Sequence, residues 1–404
     1  MFIKSNNIIW DSSIRDGILE FQDGIITDLH HEVKGDVIDY GDAFIMPGLI
    51  DIHNHGYGGW SFTGTSSLED LHLLKMRYLS EGVTSVLATA SPYAFDTISE
   101  SVKDKRGCEI VGIHMEGPFL NPEQYGAAPP DTPFPKPSIE RLESILKRSK
   151  GMLKVVTLAP EMEGATAVIE RLKQEGVKVA VGHSNVSYEQ LSNLESPVDL
   201  MTHLGNAMSG VHHRNMGALG YGLLEDVTVE VIADGLHLHK PMLDLIFKTK
   251  DIDEIILISD TVGLAGCKPG YYRLPTGDVT MTEDGIVINE HGRLSGSSKP
   301  LRYDLNYLYQ NLKISPVDLA QMASGNPARF LGLEDRGVLR KGKRADCVVF
   351  SDIFEVIAVY KEGICVYTHD TEIVRENPKL AEYIKDSEFL NFYGIEKEID
   401  YDNT

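Results

Sequence analysis

Two imidazoles two residues apart, His53 and His55, close an apolar run in PGLIDIHNHGYGG (residues 47–59), directly before three glycines in four residues. Further along, other short apolar runs end in the same kinds of side chain: Glu116 after EIVGIHM, His183 after VKVAVG, His203 after PVDLMT, Asp234 after VTVEVIA and Asp260 after DEIILIS. Imidazole nitrogens and carboxylate oxygens are the usual ligands of a borderline divalent ion such as zinc, and a catalytic site leaves one coordination position for water. Each residue alone has a plainer reading, because a strand-end histidine also packs or hydrogen-bonds and a strand-end acid also caps a helix or turn. Together the four histidines and the carboxylates could hold one or two ions, provided that one fold brings them to the same end.

The intervening sequence supplies such a fold. Short Val/Ile-rich runs alternate with amphipathic stretches such as SLEDLHLLKMRYLSEG, SIERLESILKRSKG and ATAVIERLKQEG, the last two closing on glycine as helix C-caps do. Eight runs, from FIMPGLIDIH to DEIILISD, fit an α/β fold, a (β/α)8 TIM-type barrel over residues 47–335. Active-site residues of such barrels project from the C-terminal strand ends, where the runs place these side chains. Alternation along a strand puts positions i and i+2 on one face, so His53 and His55 are expected to point inward together. Alternating segments with Asp-Gly-type turns at residues 1–46 return at 336–369, and the two chain ends are expected to meet in a small β-sandwich domain. Tyr271–Leu294 has the alternation of a hairpin after the eighth strand, and residues 370–404 read as an acidic, partly helical tail.

Sixty acidic against 38 basic residues give a net charge of −22. Nucleic acid and anionic membranes are therefore not expected as partners, since both need a basic face. Cys108, Cys267, Cys347 and Cys365 are far apart, without a C-x-x-C pair, and read as reduced thiols. With no apolar run approaching the roughly 18 residues of a membrane helix, the expected compartment is the cytoplasm.

In order along the chain, PGLIDIHNHGYGG, IVGIHMEGPFLNP, AVGHSN, MTHLGNAM, VIADGLHLH, LISDTVGLAG, GRLSGS and ASGNPARFLGLEDRGVLRKGKRADCVVF resemble the motifs of the N-acetylglucosamine-6-phosphate deacetylase family in the amidohydrolase superfamily. The resemblance runs from Pro47 to Phe350. It implies that Glu116, His183 and His203 are ligands of the principal metal, that His53 and His55 are the pair two-metal members use for a second ion, and that Asp260 is the catalytic aspartate. Asn206, Ala207, His237 and Arg214 match positions that hold the sugar phosphate, the arginine reaching into the neighbouring subunit's site, so a homodimer is implied. The implied reaction is metal-dependent hydrolysis of the acetamide of N-acetylglucosamine 6-phosphate to glucosamine 6-phosphate and acetate. Zinc is the first choice of ion, with iron or another divalent ion as alternatives. The rival readings are a sister specificity, for N-acetylgalactosamine 6-phosphate or another amide, and a catalytically silent sugar-phosphate-binding relative.

Two places depart from that pattern. Many relatives carry a basic pair and then a His or Gln after the glutamate ligand, where this chain has Gln124-Tyr125 and Ala128. Lys299 and Arg302 form an unusual basic pair after GRLSGS and are expected to bind an anion. His114 is read as a packing or supporting histidine, His239 as a surface residue, and His212 and His213 as decoration of the Arg214 loop or aids to it.

Overall fold

The computed structural model describes residues 1–64, 67–128, 134–274 and 277–377. Eight parallel strands lie side by side in sequence order: β1 Leu49–Asp51, β2 Val83–Thr89, β3 Glu109–Glu116, β4 Leu153–Leu158, β5 Lys178–Val181, β6 Leu200–Met201, β7 Thr228–Val231 and β8 Ile255–Leu257. A parallel sheet covered by helices is buried on both faces, which is why its strands are runs of Val, Ile and Leu rather than polar/apolar alternations. Val86, Ile113, Val156, Val179, Val229 and Leu257 join helix residues such as Leu71, Leu142, Ile169 and Leu243 in the large outer core. Ile50, Leu87, Val155, Ala180, Leu200, Ile232, Ile256 and Ile258 form a separate cluster that fills the barrel interior. The three amphipathic segments form the helices Leu68–Ser80, Ile139–Ser149 and Ala165–Gln174, the first two capped by Ser67 and Ser138.

Above the apolar filling lies a polar storey. His114 Nε2 meets Thr157 Oγ1 at 2.8 Å, Thr157 meets Thr202 at 2.8 Å, and the His53 and His114 rings stand edge to face at 4.5 Å. The seam between β8 and β1 is closed there too. Asp260 N donates to His53 O at 3.0 Å, His55 N to Thr261 O at 2.7 Å, and Ser259 Oγ to Asp51 Oδ2 at 2.5 Å.

The two chain ends build one eight-stranded, mostly antiparallel sheet. It runs Ile364–Thr368, Val356–Lys361, Cys347–Phe350, Phe44–Pro47, Phe2–Trp10, Ser13–Gln22 and Ile25–His30, with Val37–Asp39 paired to Phe2–Trp10. One face has its own core of Ile3, Ile8, Leu19, Phe21, Ile45, Val349 and Tyr360, while Phe44, Met46, Val348 and Phe350 belong to the barrel's outer core. The expected hairpin after β8 is larger than predicted, a four-stranded antiparallel sheet of Gly270–Leu274, Gly277–Met281, Ile286–Asn289 and Leu294–Ser297. All four cysteines are free thiols. No helix among the described residues is long and apolar enough to cross a membrane. The tail expected at 370–404 lies outside the described residues beyond 377; before that point Asn377 N donates to Gly58 O at 2.6 Å.

The run FIMPGLIDIH does not form one strand. Phe44–Pro47 pairs with Cys347–Phe350 in the outer sheet, Leu49–Asp51 opens the barrel, and Gly48 lies between them. A methyl group on Gly48 would overlap the buried side chain of Thr84. Gly48→Ala should therefore destabilise the fold by about 1–3 kcal/mol, the usual penalty of overpacking a filled interior. Urea melts measure it, and an unchanged midpoint would show that the crossing point is not tightly packed.

Candidate metal centre

Glu116 ends β3 and reaches across the barrel mouth. Its Oε1 lies 2.9 Å from His183 Nε2 and 3.0 Å from His203 Nε2, and the two nitrogens are 3.2 Å apart. His183 follows β5 and His203 follows β6, and both turn inward through left-handed backbone, with φ of 51° and 30°. L-residues adopt that region at a cost of about 1–3 kcal/mol each, and it concentrates where function demands a particular aim. His183 Nδ1 donates to Gln124 O at 2.7 Å, which leaves Nε2 as the nitrogen that faces Glu116.

The other half of the cluster shares the same carboxylate. His55 Nε2 is 3.4 Å from Glu116 Oε2 and 3.2 Å from Asp260 Oδ1. His53 Nε2 is 3.7 Å from Glu116 Oε1 and 3.6 Å from Asp260 Oδ1, has no hydrogen-bond partner, and is fully buried. Glu116 thus faces four imidazoles and bridges two donor sets. Both histidines of the H-x-H pair face the centre, but not through strand alternation: β1 ends at Asp51, and the bonds to Asp260 and Thr261 across the seam aim them. Asp260 itself is left-handed, with φ of 47°.

Charge here is held by proximity against burial. Burial opposes charge on His53, yet Glu230, Glu116 and Asp260 hold its pKa well above the ordinary value. Burial likewise opposes charge on His55, and the hydrogen bonds of Asp260 and Glu116 push it up to about 9. Burial would raise the carboxyl pKa values, but His53 and His183 keep Glu116 well below the usual range, and His53 and His55 keep Asp260 at about 2. The arrangement fits a divalent cation. Four imidazoles and two carboxylates are the donor chemistry of such an ion, and the donor atoms of His53, His55 and Asp260, like those of Glu116, His183 and His203, lie within 4.8 Å of one another. The buried, partnerless Nε2 of His53 is the kind of atom an ion would satisfy.

The remaining expected residues surround this centre unevenly. His237 is partly buried, its Nδ1 2.8 Å from Asp234 Oδ2, which also accepts from Ser297 Oγ at 3.2 Å. Asn206 and Ala207 form the turn directly after His203, Ala207 at φ 46°, with Asn206 N and Nδ2 both donating to His203 O. Arg214 lies farther out on an exposed loop with His212 and His213, and among the described residues only its backbone N is engaged, by His212 Nδ1 at 3.3 Å. His114 is fully buried with both ring nitrogens occupied, by Ile52 O and Thr157 Oγ1, and is not a ligand. His239 is exposed.

The anion-binding expectation for Arg302 is overturned. Its Nε binds Glu81 at 2.6 Å and its Nη1 binds Glu355 at 2.8 Å, so the guanidinium is already neutralised. Lys299 instead sits over the Tyr303 ring at 5.1 Å. Near Ala128, the four-stranded sheet touches the loop after Glu116, where Asn289 Nδ2 donates to Ala127 O at 3.0 Å and Arg293 stacks 3.9 Å from the Tyr125 ring. Two supporting carboxylates escape a reading of spacing. Glu230, inside β7, holds His53 Nδ1 at 2.9 Å. Glu161, after β4, accepts from Asn121 Nδ2, Ser184 Oγ and Asn185 N at 2.6–2.7 Å and so ties the loop after Glu116 to the one after His183. The signal for Glu230 was an acid in the middle of an apolar run, VTVEVIA.

A sequence model of the amidohydrolase family matches residues 44–369. The chain is 33% identical over 383 residues to an N-acetylglucosamine-6-phosphate deacetylase of Bacillus subtilis (strain 168), covering 90% of this chain and 96% of that one. It is 32% identical over 356 residues to an N-acetylgalactosamine-6-phosphate deacetylase of Escherichia coli O157:H7, covering 85% and 93%. Among solved structures, a mutant N-acetyl-D-glucosamine-6-phosphate deacetylase from Mycobacterium smegmatis in complex with N-acetyl-D-glucosamine-6-phosphate superposes with a TM-score of 0.83 at 29% identity, covering 91% of this chain and 99% of that one.

The Asp234–His237 pair makes a pH-dependent contribution of known sign. Burial opposes charge on His237, but the hydrogen bond and charge of Asp234 outweigh it and raise its pKa. The pair therefore stabilises the fold fully below the unfolded histidine value of about 6.5, and loses that increment as pH rises through the raised folded value. In Asp234→Asn, the His237 titration followed by NMR should move to lower pH; an unmoved titration would mean that Asp234 does not set it.

Proposed function

The chain belongs to the amidohydrolase family, and from that footing we propose that it hydrolyses the acetamide of an N-acetyl amino-sugar phosphate, N-acetylglucosamine 6-phosphate in the first place, to the free amino sugar phosphate and acetate. The observation that carries this reading is Glu116 bridging two histidine pairs beside Asp260 at the barrel mouth, in a chain a third identical to deacetylases over nine-tenths of its length.

Glu116, His183 and His203 would hold one divalent ion, and His53 and His55 with Asp260 a second. Zinc suits this set of nitrogen and oxygen donors, with iron or another divalent ion as alternatives. Such an ion supplies Lewis acidity, acidifying a water molecule and polarising the amide carbonyl. The chain's own residues do the rest. Asp260 stays ionised at neutral pH, so its carboxylate can take the proton of the attacking water as the carbon–oxygen bond forms. It then returns that proton to the nitrogen as the carbon–nitrogen bond breaks, which converts a poor leaving group into an amine. His237, held by Asp234, donates to a sugar hydroxyl or to the oxygen that gains charge in the tetrahedral intermediate.

Asn206 and Ala207 frame the phosphate end. The exposed Arg214 is proposed to reach the neighbouring site of a homodimer, where its guanidinium would grip two phosphate oxygens at once. Residues 47–335 would form the catalytic unit, 1–46 with 336–369 its β-domain and 370–404 a tail. The free cysteines agree with the proposed cytoplasmic location. The E. coli relative favours N-acetylgalactosamine 6-phosphate as a second candidate.

Acetate release from phosphorylated and free N-acetyl sugars ranks these substrates. N-Acetylglucosamine 6-phosphate should have the highest kcat/KM, and free sugars should fall far behind. Asp260→Asn should lower kcat by about 10²–10⁴-fold while the protein keeps the ion of Glu116, His183 and His203; a protein that released no acetate from any of these sugars would end the deacetylase reading.

If Arg214 serves the neighbouring site, Arg214→Ala and Asp260→Asn homodimers, each impaired alone, should regain activity when unfolded and refolded together. A mixed dimer contains one site with both residues. Activity no higher than the mean of the two parents would place Arg214 in its own subunit's site or outside any site.

A further inference from the structure

Glu230, a carboxylate inside the barrel wall, touches candidate ligand residues of both halves of the metal centre. It lies in β7, paired with Ile256 of β8, between Val229 and Val231, and is fully buried. Its Oε2 accepts from His53 Nδ1 at 2.9 Å and from the backbone N of His203 at 3.2 Å, and its carbonyl accepts from Leu204 N at 2.8 Å. Its Oε1 is buried without a hydrogen-bond partner among the described residues.

Barrel stability does not call for an acid at this position. The neighbouring inward-facing residues are Leu200, Ile232 and Ile256, and a buried ion pair is usually no better for stability than apolar residues of similar volume. What the carboxylate does achieve is local and directional. A carboxylate at Nδ1 keeps a hydrogen on that nitrogen, so Nε2 is the atom left to face an ion, giving up its own proton when one binds. That nitrogen faces Glu116 Oε1 at 3.7 Å and Asp260 Oδ1 at 3.6 Å and has no other partner. The His53 ring cannot turn away easily, because His114 stands against its face at 4.5 Å. The same oxygen pins the His203 backbone, whose left-handed turn directs the other half of the centre.

We propose that Glu230 is a positioning residue that makes His53 a metal ligand and so determines whether the ion of the His53–His55 half is held. This rests on the two-ion reading given above. Glu230 touches no substrate; it acts through His53.

The test strips ions from the zinc-loaded holoenzyme with increasing chelator and counts those retained, for the wild type, Glu230→Leu and Glu230→Gln. In the wild type two ions should leave in separable steps. Glu230→Leu removes the acceptor, and its more weakly held ion should leave at a chelator concentration about 10–100-fold lower, the range typical of lost carboxylate support to a metal histidine. The other ion, whose half loses only the backbone contact at His203, should shift far less. Glu230→Gln keeps an acceptor oxygen and the side-chain shape, so it should restore much of the difference even if the leucine variant folds poorly. Thermal melts of the ion-loaded proteins monitor folding independently of turnover. Two ions retained equally well in all three proteins would overturn the role of Glu230, as would an equal shift of both ions in both variants, which signals a general structural role. A wild type that holds a single ion would instead remove the two-ion reading, and the proposal with it.

Discussion

The structure is organised around one carboxylate placed where water scarcely reaches. Glu116 lies among His53, His55, His183 and His203 at the mouth of a closed sheet, with Asp260 beside it. Taking a carboxylate out of water costs several kcal/mol unless positive charge or hydrogen-bond donors replace the lost hydration. The surrounding imidazoles meet part of that demand, with His53 and His183 holding Glu116 well below the usual carboxylate range, and a divalent ion would meet it with its own charge. The electrostatics and the proposed chemistry therefore have the same origin, a negative centre that the fold surrounds with nitrogen.

Holding that centre constrains the backbone. His183, His203, Ala207 and Asp260 all take left-handed conformations, and they cluster at the C-terminal ends of β5, β6 and β8. Strain of this kind persists only where surrounding structure over-determines it, and the surrounding bonds are visible. The seam bonds fix Asp260 against His53, Glu161 ties the loop after Glu116 to Ser184 and Asn185, and Gln124 O fixes the His183 ring. The line where β8 meets β1 is thus joined by candidate site residues rather than by a regular ladder. Closure of the barrel and the aim of the candidate ligands are set by the same bonds.

Much of this could be read before any coordinates. Local runs of Val, Ile and Leu mark strands because burial on both faces demands them, so eight runs and the side chains at their ends placed the candidate ligands at one rim. What could not be read was which polar side chains pair with one another across the fold. Arg302 looked free because Glu81, its partner, lies 221 positions away. The pairing of His53 with Glu230 spans 177 positions, and a single acid in an apolar run carries no spacing signal. Alternation also misled at His53 and His55: the conclusion that both face the centre stands, but the strand had already ended, and bonds from Asp260 and Thr261 set their direction. Local pattern fixes elements, whereas charge pairing across the fold decides which polar residues are committed.

The vertical ordering of the barrel interior explains how such a centre and a stable fold coexist. The lower interior is apolar, filled by Leu87, Val155, Ala180, Leu200 and Ile256. Above it, His114, Thr157, Thr202 and Glu230 bond to one another or to the candidate ligand His53 in a layer from which solvent is excluded. Only then comes the rim, where His55 and Glu116 retain some exposure. In a low-dielectric layer hydrogen bonds are stronger and unpaired groups more costly, so the bonds that His114, Thr157, Thr202 and Glu230 make there stiffen the layer. Rigidity matters because ligands must be held close to their working geometry before an ion or substrate arrives. The polar storey therefore transmits the stiffness of the apolar packing below to the side chains above, and it does so through hydrogen bonds whose direction packing alone could not specify.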